Sequence, residues 1–135
     1  MKRLFLLIIS VAFLGCSDDD NNDTGGAPLS IDPAIVGEWV ATDIIGQTNL
    51  PDCLSSEKLK FRLSGKFYHT VVTGYTPCTS STYEGTYTVN NDIITLDSPG
   101  GVPLQYKILS LSATKLQLRV HFSQPNLPVT EYTKQ

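Results

Sequence analysis

Two histidines, three cysteines, a pair of strand glutamates and a group of tyrosines carry most of the chemistry open to this chain. His69 and His121 fall on separate strands with no second ligand beside them. No Cys or His lies two to five residues from Cys53 or Cys78, the spacing with which a zinc site begins. The serines are many, but none sits at a strand-to-helix elbow, so nucleophilic catalysis lacks its usual support. Glu84 and Glu131 can be paired on paper as acid and base, yet both fall on outward positions where carboxylates are ordinarily just solvated. Pro99-Gly100-Gly101 precedes a strand rather than a helix, which makes it a turn and not a phosphate cradle. The residues therefore point to no enzyme, no metal and no cofactor. Tyr68, Tyr75, Tyr83 and Tyr87 remain, gathered around the third and fourth strands. They read either as core and cross-strand packing or as a stacking surface for a sugar or lipid near an open rim.

The N-terminus has its own chemistry. Met1-Lys2-Arg3 is a short basic region, and Leu4 to Leu14 is an apolar run broken only by Ser10. That run is too short to span a bilayer as a stable helix and ends in Gly15-Cys16. It reads as a secretory signal peptide over residues 1–15. Its end is similar to the lipobox of bacterial lipoproteins, which implies that Cys16 is acylated and becomes the new N-terminus. With Cys16 taken by the anchor, Cys53 and Cys78 are left as an even pair in an exported, oxidising setting. A disulfide is expected between them. Closing their roughly 26-residue loop stabilises the fold by about 3.5 kcal/mol in the chain-entropy description.

Losing the leader also removes Lys2 and Arg3, leaving 8 basic residues against 13 acidic ones, a net charge of −5. Five of those acids (Asp18, Asp19, Asp20, Asp23 and Asp32) precede Pro33, so the remainder balances at 8 and 8. A neutral domain without a basic stripe has no electrostatic grip on phosphate, which argues against nucleic acid. Residues 16–33 hold too little apolar surface to fold and read as a flexible tether with a reach of roughly 25 Å. The Asp18-Asp19-Asp20 run resembles the acidic signal that follows the acylated cysteine in surface lipoproteins of Bacteroidota-type bacteria. That resemblance implies an outer-membrane anchor, with the domain at the periplasmic face or the cell surface.

From residue 34 to 135 the pattern is of short strands. Gly37-Glu38-Trp39 opens the first, about Gly37 to Ile45, with Gly37 letting the backbone pass close under a sheet end and Trp39 as the largest apolar plug available. Lys58 to Leu63 alternates Leu59, Phe61 and Leu63 inward with three cations outward. Phe67 to Thr73 returns after a Ser64-Gly65-Lys66 turn, and Gly74 to Ser81 is expected to be a loop. Tyr83 to Val89, Ile93 to Asp97, Val102 to Leu111, Lys115 to Phe122 and Val129 to Lys134 complete the series. Only Ile31 to Val36 has room for a helical turn, with Asp32 as its cap. Trp39, Phe61, Phe67, Tyr87, Tyr106, Leu118 and Phe122 are the bulky inward candidates. Eight short strands in a meander are economically closed into an all-β, antiparallel up-and-down barrel, which leaves no exposed edges. A two-sheet β-sandwich is the alternative.

An acylated cysteine, an acidic tether, Gly37-Glu38-Trp39 and an eight-strand meander together resemble the lipocalin-like domain of small bacterial lipoproteins. The blocks Leu59 to Phe67 and Gly85 to Leu96 are typical of that group. The resemblance covers about residues 34 to 134 and implies a barrel with Trp39 at its closed end. In lipocalins a late-strand arginine packs on that tryptophan, but alternation points Arg119 outward, and the role is not transferred to it. Two functions are compatible with this reading. One is a lipid-anchored barrel that binds a small apolar or amphipathic molecule at its rim. The other is a non-catalytic surface lipoprotein with a filled barrel that docks on another envelope protein.

Overall fold

The computed structural model describes residues 31–120 and 126–135. The leader, Cys16, the tether up to residue 30, His121 and Phe122 lie outside the described residues. Within them the strands are β1 (Gly37–Ile44), β2 (Lys58–Phe61), β3 (Lys66–Tyr75), β4 (Cys78–Asn90), β5 (Ile93–Asp97), β6 (Leu104–Leu111), β7 (Lys115–Val120) and β8 (Val129–Lys134). Each pairs antiparallel with the next, and β1 pairs with β8, so the sheet closes into an eight-stranded barrel. Because every strand has two partners, the sandwich alternative is excluded.

Period-2 alternation sets the faces. In β7, Leu116 and Leu118 are buried while Lys115 is exposed and Gln117 only partly covered. Strands β2, β3, β4, β5, β6 and β8 send Leu59, Phe61, Phe67, Tyr87, Ile94, Leu96, Tyr106 and Tyr132 to the same interior.

One end of the barrel is shut. Trp39 is fully buried, and its indole N–H donates to the Ile35 carbonyl at 2.7 Å. That carbonyl is presented by a tight turn across residues 33–35. The Ala34 amide donates to the Asp32 carboxylate, and the Ile35 amide to the Asp32 carbonyl. The buried Ile35 side chain packs into the same plug. Across the sheet Trp39 is in register with Lys134, whose ammonium lies 5.0 Å from the centre of the ring. Lys134 on the last strand thus supplies the cation over the tryptophan. Gly37 has φ +139°, and a Cβ there would come within 2.5 Å of Lys134 Cε. The lysine tip could move aside, so it is the positive φ that makes this a glycine position.

The opposite end is the mouth, formed by the β1–β2 loop, the β3–β4 tip and the β5–β6 loop. A 3-10 turn (Leu54–Ser56) folds over it, with Leu54 buried in the core. The Cys53–Cys78 disulfide ties this loop to the first residue of β4, with a Cα–Cα distance of 5.7 Å.

Three expectations need correcting. Leu63 is not an inward strand residue: β2 stops at Phe61, the chain turns through Arg62–Gly65, and Leu63 is 68% exposed. The segment Gly74 to Ser81 is not a loop. β3 and β4 run on as a long hairpin, turning at Tyr75–Cys78 through a cis Thr76–Pro77 peptide. Its outer part is exposed on both faces, so the Ser- and Thr-rich residues carry no apolar alternation by which to read a strand. Finally, β6 begins at Leu104, leaving Val102 in the mouth loop.

Candidate functional site

Bulky side chains, Trp39, Phe61, Tyr87 and Leu116 among them, fill the core toward the plugged end. Under the mouth a cavity of about 260 Å³ opens among β3, β4, β5 and the β5–β6 loop. Phe67, Val71, Leu96, Val102 and Leu104 give it an apolar wall. His69, Ser98 and Tyr83 are the hydrogen-bonding side chains on it. A second cavity, of about 220 Å³, lies at the wall of the barrel, where Lys66, Tyr68, Glu84 and Thr86 meet Pro99.

The four candidate tyrosines do not form one surface. Tyr83 lines the mouth cavity and is half exposed. Tyr75 stands at the hairpin tip, exposed. Tyr68 lies on the outer face with the Arg62 guanidinium 5.4 Å from its ring centre, and it borders the wall cavity instead. Tyr87 is a core residue and is not among the residues that line either cavity. Its ring meets Phe61 edge-on at 4.8 Å, its hydroxyl donates to the Arg62 carbonyl, and burial pushes that hydroxyl's pKa up to about 12. Gly85, between Tyr83 and Tyr87, has no room for a side chain. A Cβ would run into the Asp97 carbonyl and the Phe67 ring, so only bare backbone fits between them.

Behind the mouth cavity lies a polar group that residue patterns did not reveal. His69 is 5% exposed, and its Nε2 has no hydrogen-bond partner among the described residues. Glu57 Oε1 lies 4.0 Å from it and accepts the Tyr132 hydroxyl at 2.5 Å. Tyr106 meets the imidazole edge-on from the facing wall. Burial works to raise the Glu57 carboxyl; the facing His69 and the Tyr132 hydroxyl outweigh it, so the group sits below the ordinary glutamate value. Burial first, and then the nearby Glu57 carboxylate, push the hydroxyls of Tyr106 and Tyr132 upward. One signal was available in the sequence. His69 shares the inward parity of Phe67 and Val71, a single polar residue on an apolar face. Glu57 gave none, because its partner Tyr132 is 75 residues away.

Glu131, the other glutamate of note, faces outward and is held by Lys115 and Gln117. It lies nowhere near the exposed Glu84, so the acid–base pairing has no geometry. Among the described residues no three His, Cys, Asp or Glu side chains are grouped to hold a metal.

A closed eight-stranded antiparallel meander, plugged by a tryptophan at one end and opening onto a small apolar cavity at the other, defines a minimal up-and-down barrel. The chain belongs to the lipocalin-like domain family, whose sequence profile matches residues 35–118. Two solved structures share the fold. A lipocalin-like protein from Bacteroides uniformis ATCC 8492 is 14% identical, with a TM-score of 0.54, covering 76% of this chain and 99% of its own. An uncharacterized protein from Bacteroides eggerthii DSM 20697 is also 14% identical, with a TM-score of 0.51, covering 74% of this chain and 98% of its own. No curated protein matches.

Proposed function

We propose that this protein is a lipid-anchored, non-catalytic binding protein of the bacterial envelope that holds a small apolar or amphipathic molecule in the mouth cavity. The observation that carries the reading is the cavity itself: about 260 Å³, walled by apolar side chains and open at the rim. It is slightly smaller than the ~300 Å³ at which ligand pockets commonly begin, so the ligand is compact or only partly enclosed. Filling the space decides the matter. Val71→Trp is expected to abolish saturable binding of the uncharged fluorescent probe N-phenyl-1-naphthylamine while leaving the melting temperature close to that of the native protein. Thr86→Trp, at the wall cavity, is expected to leave binding intact. Equal probe binding by the native and Val71→Trp proteins would overturn the assignment.

The anchor completes the reading. Cys16 follows an apolar leader, and the chain enters the barrel at the closed end, where Ile35 meets Trp39. A tether at Cys16 therefore holds the end opposite the mouth. Cys16→Ala is expected to leave an unlipidated precursor that retains residues 1–15, read by intact mass. An intact mass differing from the native protein's by the single substitution alone would refute lipidation. A second reading, docking on another envelope protein, is favoured by Ile45, Leu50, Tyr75, Tyr83 and Val102, exposed apolar residues around the rim. Val71→Trp separates the two, since it blocks the cavity without changing those residues.

A further inference from the structure

We propose that the cavity on the outer wall of the barrel is a second ligand site, built for one ring of a neutral carbohydrate. It lies apart from the mouth and does not rest on the reading of the mouth cavity given above. The space is about 220 Å³, lined by Lys66, Tyr68, Glu84 and Thr86, with Pro99 of the β5–β6 loop beside them. Strand pairing explains how these side chains meet. Lys66 is in register with Thr86, and Tyr68 with Glu84, so the four form two cross-strand pairs on the outer face. Between those rows runs the Phe67–Gly85 pair, which sends nothing outward: Phe67 is in the core and Gly85 has no side chain.

Elsewhere on the outer wall, opposite charges meet across the strands. Glu38 faces Lys58 and Lys60, Asp92 faces Lys107, and Glu131 faces Lys115. Lys66 and Glu84 are diagonal neighbours on one face, within reach of each other for long side chains. Yet neither head has an ion-pair or hydrogen-bond partner among the described residues. The cavity therefore holds an unspent donor and an unspent acceptor, with the Thr86 hydroxyl able to serve as either.

Tyr68 supplies the apolar side. The Arg62 guanidinium stands 5.4 Å from its ring centre, but Arg62 does not line the cavity. Arg62 directly follows β2, which flanks β3 on the side away from β4. The ring is thus braced from the β2 side and free toward β4, where the cavity lies. A ring beside an unspent donor and acceptor selects a ligand with an apolar face and adjacent hydroxyls. A sugar has both. Its C–H face packs on Tyr68 and Pro99, while neighbouring hydroxyls donate to the Glu84 carboxylate and accept from the Lys66 ammonium in charge-assisted hydrogen bonds. The two charges cancel, so an acidic sugar gains no net attraction. A free amino acid can offer opposite charges to the same two groups, but ion pairs at so exposed a site contribute little.

Four neutral oligosaccharides (cellotetraose, maltotetraose, mannotetraose and xylotetraose) test this, titrated singly into the purified protein and followed by the backbone amide resonances of residues 66–68 and 84–86. At least one is expected to shift those amides saturably. Tyr68→Ala is expected to weaken that sugar about tenfold or more, and Glu84→Gln and Lys66→Met about fivefold each. Val71→Trp, which fills the mouth cavity, is expected to leave its affinity unchanged. If none of the four shifts these amides, or if L-phenylalanine binds there as tightly as the best sugar, the assignment is overturned. Loss of sugar binding in Val71→Trp would place the sugar in the mouth and overturn it as well. The two readings fail separately, because N-phenyl-1-naphthylamine reports on the mouth alone. Should Tyr68→Ala not fold, the amide shifts of the native protein still decide.

Discussion

Trp39→Ala is expected to lower the unfolding free energy by about 3–5 kcal/mol, a large share of the 5–15 kcal/mol typical of a single domain. The size of the effect follows from how many things meet at this ring. It is wholly buried, its N–H occupies the Ile35 carbonyl, and Lys134 from β8 covers its face. Removing it opens a void at the closed end and strands that carbonyl at once. Trp39→Phe separates the two contributions. It keeps most of the apolar volume but loses the hydrogen bond, and a cost of about 1–3 kcal/mol is expected from the unpartnered carbonyl. As the only tryptophan in the chain, Trp39 also reports on itself. Its emission in the folded protein should be blue-shifted and resist iodide quenching, and chemical denaturation of the two variants measures the energies. An alanine variant as stable as the native protein would remove the plug from the account of the fold.

Reducing the Cys53–Cys78 bond is expected to cost about 3.5 kcal/mol, from the entropy regained by the 25-residue segment it closes. In a domain of this size that lowers the melting temperature by more than ~10 °C. The loss also has a location. The bridge holds the loop carrying Leu54, which is buried in the core, and just beyond it Glu57, which accepts the Tyr132 hydroxyl. Hydrogen exchange should therefore rise first around residues 45–57 and the β3–β4 tip, with the tryptophan end protected longest. A reduced protein that melts within a degree or two of the oxidised one would contradict this. A Cys53→Ala, Cys78→Ala double variant checks that the effect belongs to the bond rather than to the reductant.

The barrel was legible in the sequence because its strands are half-buried and alternate cleanly. Leu116 and Leu118 in β7, and Leu59 and Phe61 in β2, point the same way in the structure as on paper. The Cys53–Cys78 pairing was legible because it needed only an exported setting and an even count. What failed did so for physical reasons. The outer part of β4 has solvent on both faces and hence no period to detect. Leu63 continues an alternation that the Arg62–Gly65 turn cuts short. Tyr87 looks like its neighbouring tyrosines in composition, and only its depth in the barrel makes it core. The group behind the mouth cavity was the least legible part. Glu57 lies ahead of β2, His69 in β3 and Tyr132 in β8, and nothing but closure of the sheet brings them together.

That closure also orders the way the molecule is made. The hydroxyls of Thr70 and Thr82, which meet across the β3–β4 hairpin, are 12 residues apart in the chain, whereas those of Thr42 and Thr133, which join β1 to β8, are 91 apart. By loop-closure entropy alone the second contact costs about 2 kcal/mol more to form than the first. Seven of the eight seams can therefore zip from neighbour to neighbour, and the β1–β8 seam is the slow, high-contact-order step. Until that seam closes, β1 and β8 are left with unpaired backbone that invites pairing with other chains. The last strand brings Tyr132 to Glu57 and Lys134 to Trp39, so the group behind the mouth cavity and the plug at the far end are completed in the same event.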